Sequence, residues 1–268
     1  MASFIANTEA LNRFKQKINY TSIVSNLPND RLGVYLDWES TLLALMADGS
    51  PWAPEDLSIT IGFPSHGETS LSYENDDLRI DLNVHLFSDL SNTEVLDEAL
   101  AIMSRTSMMD INMEYGESGP CDVYFYSPPI YDTNVITSAM CVFRNVLIQV
   151  DTLNEEVDVR PVLKVLHSKM EASLVDISEV KPTITSCKIS ANEVPVDQDF
   201  YVEFIVPVEK PNVVELHNDY GDGLEYLDEE NLRFNFKAKL QGFHTITFSV
   251  LDTKTLYTIN VSQTIKVK

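Results

Sequence analysis

The chain has 268 residues, 44% hydrophobic and 22% charged, a balance that excludes wholesale disorder and leaves room for one large or two modest domains. Nineteen basic against 41 acidic residues give a formal net charge of −22, which repels phosphate backbones and argues against specific nucleic-acid binding. No run of about 18 apolar residues is present to cross a bilayer, so no membrane partner is expected. Three widely spaced cysteines, Cys121, Cys141 and Cys187, read as reduced thiols rather than a disulfide framework. Met1 to Leu11 carries Glu9 and lacks the basic start and apolar core of a secretory signal, so synthesis in a cytoplasm is expected.

From the N-terminus, Leu11, Phe14 and Ile18 recur at helical spacing behind Thr8, a suitable N-cap. Ser40 to Ala47 reads as a short apolar helix ending at Asp48-Gly49-Ser50-Pro51, and Leu57 to Gly62 as a strand. Leu78 to Leu86 alternates Leu78, Ile80, Leu82, Val84 and Leu86 against Arg79, Asp81, Asn83 and His85, the pattern of a half-buried strand. Asn92-Thr93-Glu94-Val95 opens a helix with Val95, Leu96, Ala99, Ile102 and Met103 on one face. Met109 to Tyr115 and Cys121 to Tyr126 predict a hairpin, Met140 to Val150 a single strand, and Pro161 to Ala172 a last helix with Pro161 in its first turn. This order predicts an α+β domain with a mostly antiparallel sheet over residues 1–180.

Beyond Glu179-Val180-Lys181-Pro182 the pattern turns all-β. Strands are expected at Thr183 to Ser190, Phe200 to Val206, Val213 to His217, Leu232 to Phe236, Thr245 to Leu251 and Leu256 to Val267. Short strands at about ten-residue spacing predict a sandwich of antiparallel sheets over residues 181–268. Asp219-Tyr220-Gly221-Asp222-Gly223 resembles the aromatic-Gly-Asp-Gly turn of PKD-type immunoglobulin-like domains, and Gln241 to Val250 is similar to that family's penultimate strand. The family's usual Trp before the turn is absent; Asn218 and Asp219 stand there. The resemblance implies an Ig-like sandwich acting as an adhesive or spacer module, without chemistry. In the N-terminal part, Arg79 to Phe87 and Glu94 to Arg105 resemble the strand-and-helix arrangement of tail-terminator and tail-completion proteins of bacteriophages.

Catalytic signatures are absent from the sequence: no phosphate-binding loop, no Gly-x-Gly-x-x-Gly after a strand, no nucleophile elbow, no His-Glu-x-x-His. His66, His85, His167, His217 and His244 sit apart from one another and from the cysteines, so no metal or cofactor is expected of them. A calcium loop is conceivable at Asp219, Asp222 and Glu229, but Tyr220 occupies a position where a carboxylate is needed, and a hydrated acidic turn with Asp228 and Glu230 explains the same residues. Cys121 or Cys141 as nucleophile competes with the plainer reading of buried small residues. Tyr124, Tyr126 and Tyr131, in an aromatic-proline stretch, and Trp52 are the interface candidates, with capping of the sheet as the bland alternative.

These features predict a non-enzymatic structural component of a virion, a tailed-bacteriophage tail, neck or baseplate protein forming a homo-oligomeric ring with its Ig-like domain outward. Its partners would be itself and other virion proteins, and its acidic surface would let DNA slide past. The alternative is a binding module, adhesin-like or carbohydrate-binding; an unrecognised enzyme and a DNA mimic are the remaining readings.

Overall fold

The computed structural model describes residues 8–45, 52–62, 66–105, 113–117, 119–129, 133–180, 186–206, 212–217 and 219–268. The chain divides into two compact units, Met1–Ile59 with Glu68–Val180, and Lys181–Lys268 with Thr60–Gly67. Among the described residues, no helix is long and apolar enough to cross a membrane. Several antiparallel sheets with flanking helices make the chain a β-rich α+β protein.

Up to Val180 the order is α1 (Thr8–Lys17), α2 (Tyr20–Asn26), β1 (Leu32–Val34), α3 (Trp38–Ala44), β2 (Ala53–Gly62), β3 (His66–Asn75), β4 (Leu78–Leu86), α4 (Asn92–Arg105), β5 (Glu114–Tyr115), β6 (Val123–Tyr126), β7 (Ser138–Phe143), β8 (Val146–Asp151), α5 (Arg160–Glu171) and β9 (Leu174–Asp176). Among the described residues seven strands form one sheet in the order β2-β3-β4-β8-β7-β6-β5, while β1 and β9 pair separately. The β4–β8, β8–β7, β7–β6 and β6–β5 pairs are antiparallel.

The period-2 pattern of β4 sets the two faces of this sheet. Ile80, Leu82, Val84 and Leu86 share one face with Val146, Ile148 and Val150 of β8, and all seven are buried. This face meets α3 through a hydrogen bond from the Tyr73 hydroxyl to the Leu42 carbonyl (2.7 Å), and α5 through the edge contact of His167 on the Phe143 ring (4.8 Å). On the opposite face Phe87, Met140, Val142, Leu147, Val123 and Phe125 form a second core with Val95, Leu96, Ala99 and Met103 of α4 and Phe14 of α1. The α4 start is held by a reciprocal cap: the Ser91 N–H and hydroxyl both donate to Glu94 (2.8 and 2.7 Å), and the Glu94 N–H returns to Ser91 (3.4 Å).

The segment expected as one strand from Met140 to Val150 is a hairpin. β7 and β8 turn at Arg144 and Asn145, with Arg144 in the left-handed region (φ 54°). Asn145 is the lone turn-favouring residue there, without Gly or Pro, and both strands are buried on both faces, so alternation does not betray the turn. α2, β1, β3 and β9 were not anticipated, and β3 is the one that matters most for the site.

In the second unit β10 (Ser186–Ile189), β11 (Glu193–Val194), β12 (Asp199–Ile205), β13 (Asn212–Leu216), β14 (Leu224–Glu230), β15 (Arg233–Ala238), β16 (Gly242–Asp252) and β17 (Thr258–Val267) form two four-stranded sheets, ordered β10-β12-β15-β14 and β11-β17-β16-β13. A common core joins them: Phe200, Phe204, Phe234 and Phe236 from the first sheet, with Ile246, Phe248 and Ile265 from the second. Alternation decides the sides, since Phe234, Phe236 and Ala238 are buried while Arg233, Asn235 and Lys237 are not. β14 was expected as an acidic turn; Asp228, Glu229 and Glu230 instead lie on an edge strand, exposed from Glu225 onward. Charge on such an edge discourages pairing with other strands.

Candidate functional site

The sheet face that carries the α4 core does not stay apolar toward β4 and β3. Strand alternation puts Asp81, Asn83 and His85 there, opposite Asp151, Gln149 and Leu147 of β8. Ser72 of β3 joins them by donating to Asp81 (2.6 Å), and Ser138 of β7 donates to Asp151. Arg79 braces the row: its Nε donates to Asp81 (2.8 Å) and its terminal nitrogens to Ser72 (2.7 Å) and Glu74 (3.2 Å). Asp151 has the weaker support, and burial, with Asp81 adding, pushes its carboxyl above the usual range against the pull of Ser138.

Where the polar strip meets the apolar core, Glu68 of β3 and His85 of the adjacent β4 come together. His85 Nδ1 is 3.7 Å from Glu68 Oε2. The His85 imidazole is buried, at 7% exposure, and Glu68 is half-buried. Burial holds the His85 pKa below its ordinary value, opposed by the Glu68 carboxylate and by a hydrogen bond with Gln149.

The residues expected at sites fare differently. Asp219 and Asp222 are exposed on the turn after β13, and Glu229 is exposed on β14; they are not gathered into a three-donor group. Tyr124 is not a free contact residue: it is 7% exposed, stacked on Tyr126 (ring centroids 5.3 Å apart), with Gly119 packed against its Cβ. Tyr126 is half-buried on the same strand, and Trp52 is half-buried beside Leu78, Val157 and Pro161. Tyr131 lies outside the described residues. Cys141 is fully buried beside Cys121, and burial raises its thiol pKa, the opposite of what a thiolate nucleophile needs. The Glu68–His85 pair was missed because β3, a run of His, Gly, Glu, Thr and Ser around Leu71 and Tyr73, carries no strong strand signal.

No protein-family model matches the chain, and no curated protein matches its sequence.

Proposed function

We propose that the protein is a non-enzymatic structural component of a virion, of the tailed-bacteriophage kind, whose first unit joins copies of itself into a ring at the tail, neck or baseplate. The second unit, on this reading, is an Ig-like sandwich of PKD type that faces outward. The observation that carries the proposal is the open edge at β2. This strand ends the seven-stranded sheet and is exposed along Ala53 to Asp56, where Asp56 takes a left-handed conformation (φ 53°). An edge strand presents unpaired N–H and C=O groups to another chain, and head-to-tail pairing of such edges closes into rings. The net charge of −22 supports a surface past which DNA slides without sticking.

The test is the absolute mass of the full chain by mass photometry across concentration and salt. Discrete closed oligomers that dissociate when Pro replaces Leu57 on β2 are expected. A monomer at every concentration overturns self-assembly and turns attention to the second reading, a binding module. That reading draws on the second unit's exposed apolar residues, Phe243 (75% exposed) and Leu240 (56%).

A further inference from the structure

We infer that the cleft between β5 and the α1–α2 pair is a docking groove for an extended basic peptide segment of a partner protein, which adds a strand to the sheet. Backbone geometry makes the first argument. Among the described residues β5 ends the seven-stranded sheet, at the end away from β2, with β6 as its neighbour. The Gly116 N–H donates to the Tyr124 carbonyl (2.9 Å), so Gly116 and, two residues back, Glu114 turn their backbone groups toward β6. Alternation then sends the N–H and C=O of Tyr115, and the carbonyl of Met113, outward. Lys17 of α1 marks that direction, since its Nζ donates to the Met113 carbonyl (3.5 Å). An outward-facing strand edge is the template on which strand addition works.

Shape makes the second. Residues of α1, of α2 and of the joint between them enclose with β5 a cavity of about 680 Å³, the size of an ordinary ligand cleft. Its floor is apolar: Ile18 and Ile23 belong to the α4 core, and Tyr115 packs on that core with its ring 6.1 Å from Phe125. A strand laid along β5 points alternate side chains to the same side, so every second residue of the occupant is apolar and rests on this floor.

Charge makes the third and chooses the occupant. Glu114 and Glu117 are exposed on the β5 side of the cleft. Glu114 accepts from the Tyr126 hydroxyl, which steadies its carboxylate. Lys17, the cation among the lining residues, is engaged with Met113, and the whole chain carries −22. The residues of the occupant that alternate with the apolar ones are therefore lysine or arginine. This inference does not rest on the assembly reading and survives its failure.

The experiment uses the full chain and a fluorescent, end-capped heptapeptide of alternating lysine and valine, read by anisotropy, with amide hydrogen exchange on the same samples. Saturable binding of one peptide per chain is expected, with slowed exchange at Tyr115. N-methylation of one alternate set of peptide amides should weaken binding about tenfold or more, the worth of two lost hydrogen bonds, and methylation of the other set should not, because one set alone faces β5. Glu114→Gln and Glu117→Gln should each weaken binding about two- to fivefold, the worth of an exposed ion pair. Both are surface changes that keep side-chain shape, so the folded chain remains testable. Absence of saturable binding overturns the groove. So does equal binding of the glutamate–valine peptide, indifference to which amides are methylated, or indifference to both glutamate changes, which marks diffuse attraction to surface acids. Tyr115 protection that rises with protein concentration in the absence of peptide assigns the groove to a second copy and overturns the partner peptide.

Discussion

Asp81 of β4 and Asp151 of β8 are direct cross-strand partners, so two carboxylates share one row of the sheet's polar face. Arg79 and Ser72 attend Asp81, while Asp151 relies on the hydroxyl of Ser138. Like charges directly opposite one another destabilise a sheet. Burial and Asp81 raise the Asp151 pKa, so its folded pKa exceeds its unfolded value and the ionised form is the costly one. Stability from this group is therefore gained as pH falls through the folded pKa, and is missing at neutral pH. Asp151→Asn should raise the urea midpoint at neutral pH, and the gain should vanish near the unfolded carboxylate value of about 3.9. A midpoint lowered at neutral pH would show that the charge is needed.

His85 has the opposite sign. Burial holds its folded pKa below the ordinary 6.5, so the unfolded chain takes up the proton first. Stability should fall as pH drops below 6.5 and be unaffected by this group above it. Chemical denaturation of the wild type against His85→Asn across that window should show the wild type losing stability faster on acidification. Parallel curves would remove His85 as the cause.

Asn145 links the β7–β8 turn to two other segments. Its side-chain oxygen accepts from the buried Val34 N–H (2.9 Å), and its carbonyl accepts from Phe87 N–H (2.9 Å). Asn145→Ala withdraws an acceptor from a buried donor, a loss of about 1–3 kcal/mol. Trp38 and Trp52 both belong to the first unit, so tryptophan fluorescence in urea reads this loss directly.

The second unit contains no tryptophan. Phe248 is fully buried there and meets Phe204 and Phe234, with centroids 4.9 Å away in each case. Phe248→Ala should cost that unit about 3–5 kcal/mol through lost burial and the cavity left behind. Far-ultraviolet dichroism should report the shifted transition.

The α4 cap offers a smaller and cleaner test. Ser91→Ala should cost about 1 kcal/mol, the usual worth of an N-cap side chain. Glu94→Ala in the same background should add less than it costs alone, because the two side chains form one reciprocal unit.

How much of this was legible in the sequence follows from where each signal resides. α1, α4, α5 and β4 carry their periodicity in contiguous residues, and each begins within two residues of its expected start. The β7–β8 hairpin failed as a single strand because burial on both faces erases alternation, and the turn at Arg144 uses a left-handed non-glycine residue. β14 failed because an exposed edge strand can be acidic throughout, and charge there reads locally as a loop.

By itself, then, the sequence determined the α+β character, the all-β tail and the acidic surface, because period and composition are local quantities. The meeting of Glu68 with His85, and of Asp81 with Asp151, belongs to the tertiary structure alone. Such pairs depend on which strands lie side by side and in what register, and the core packing beneath the sheet sets that register, at sequence separations across which no local pattern reaches.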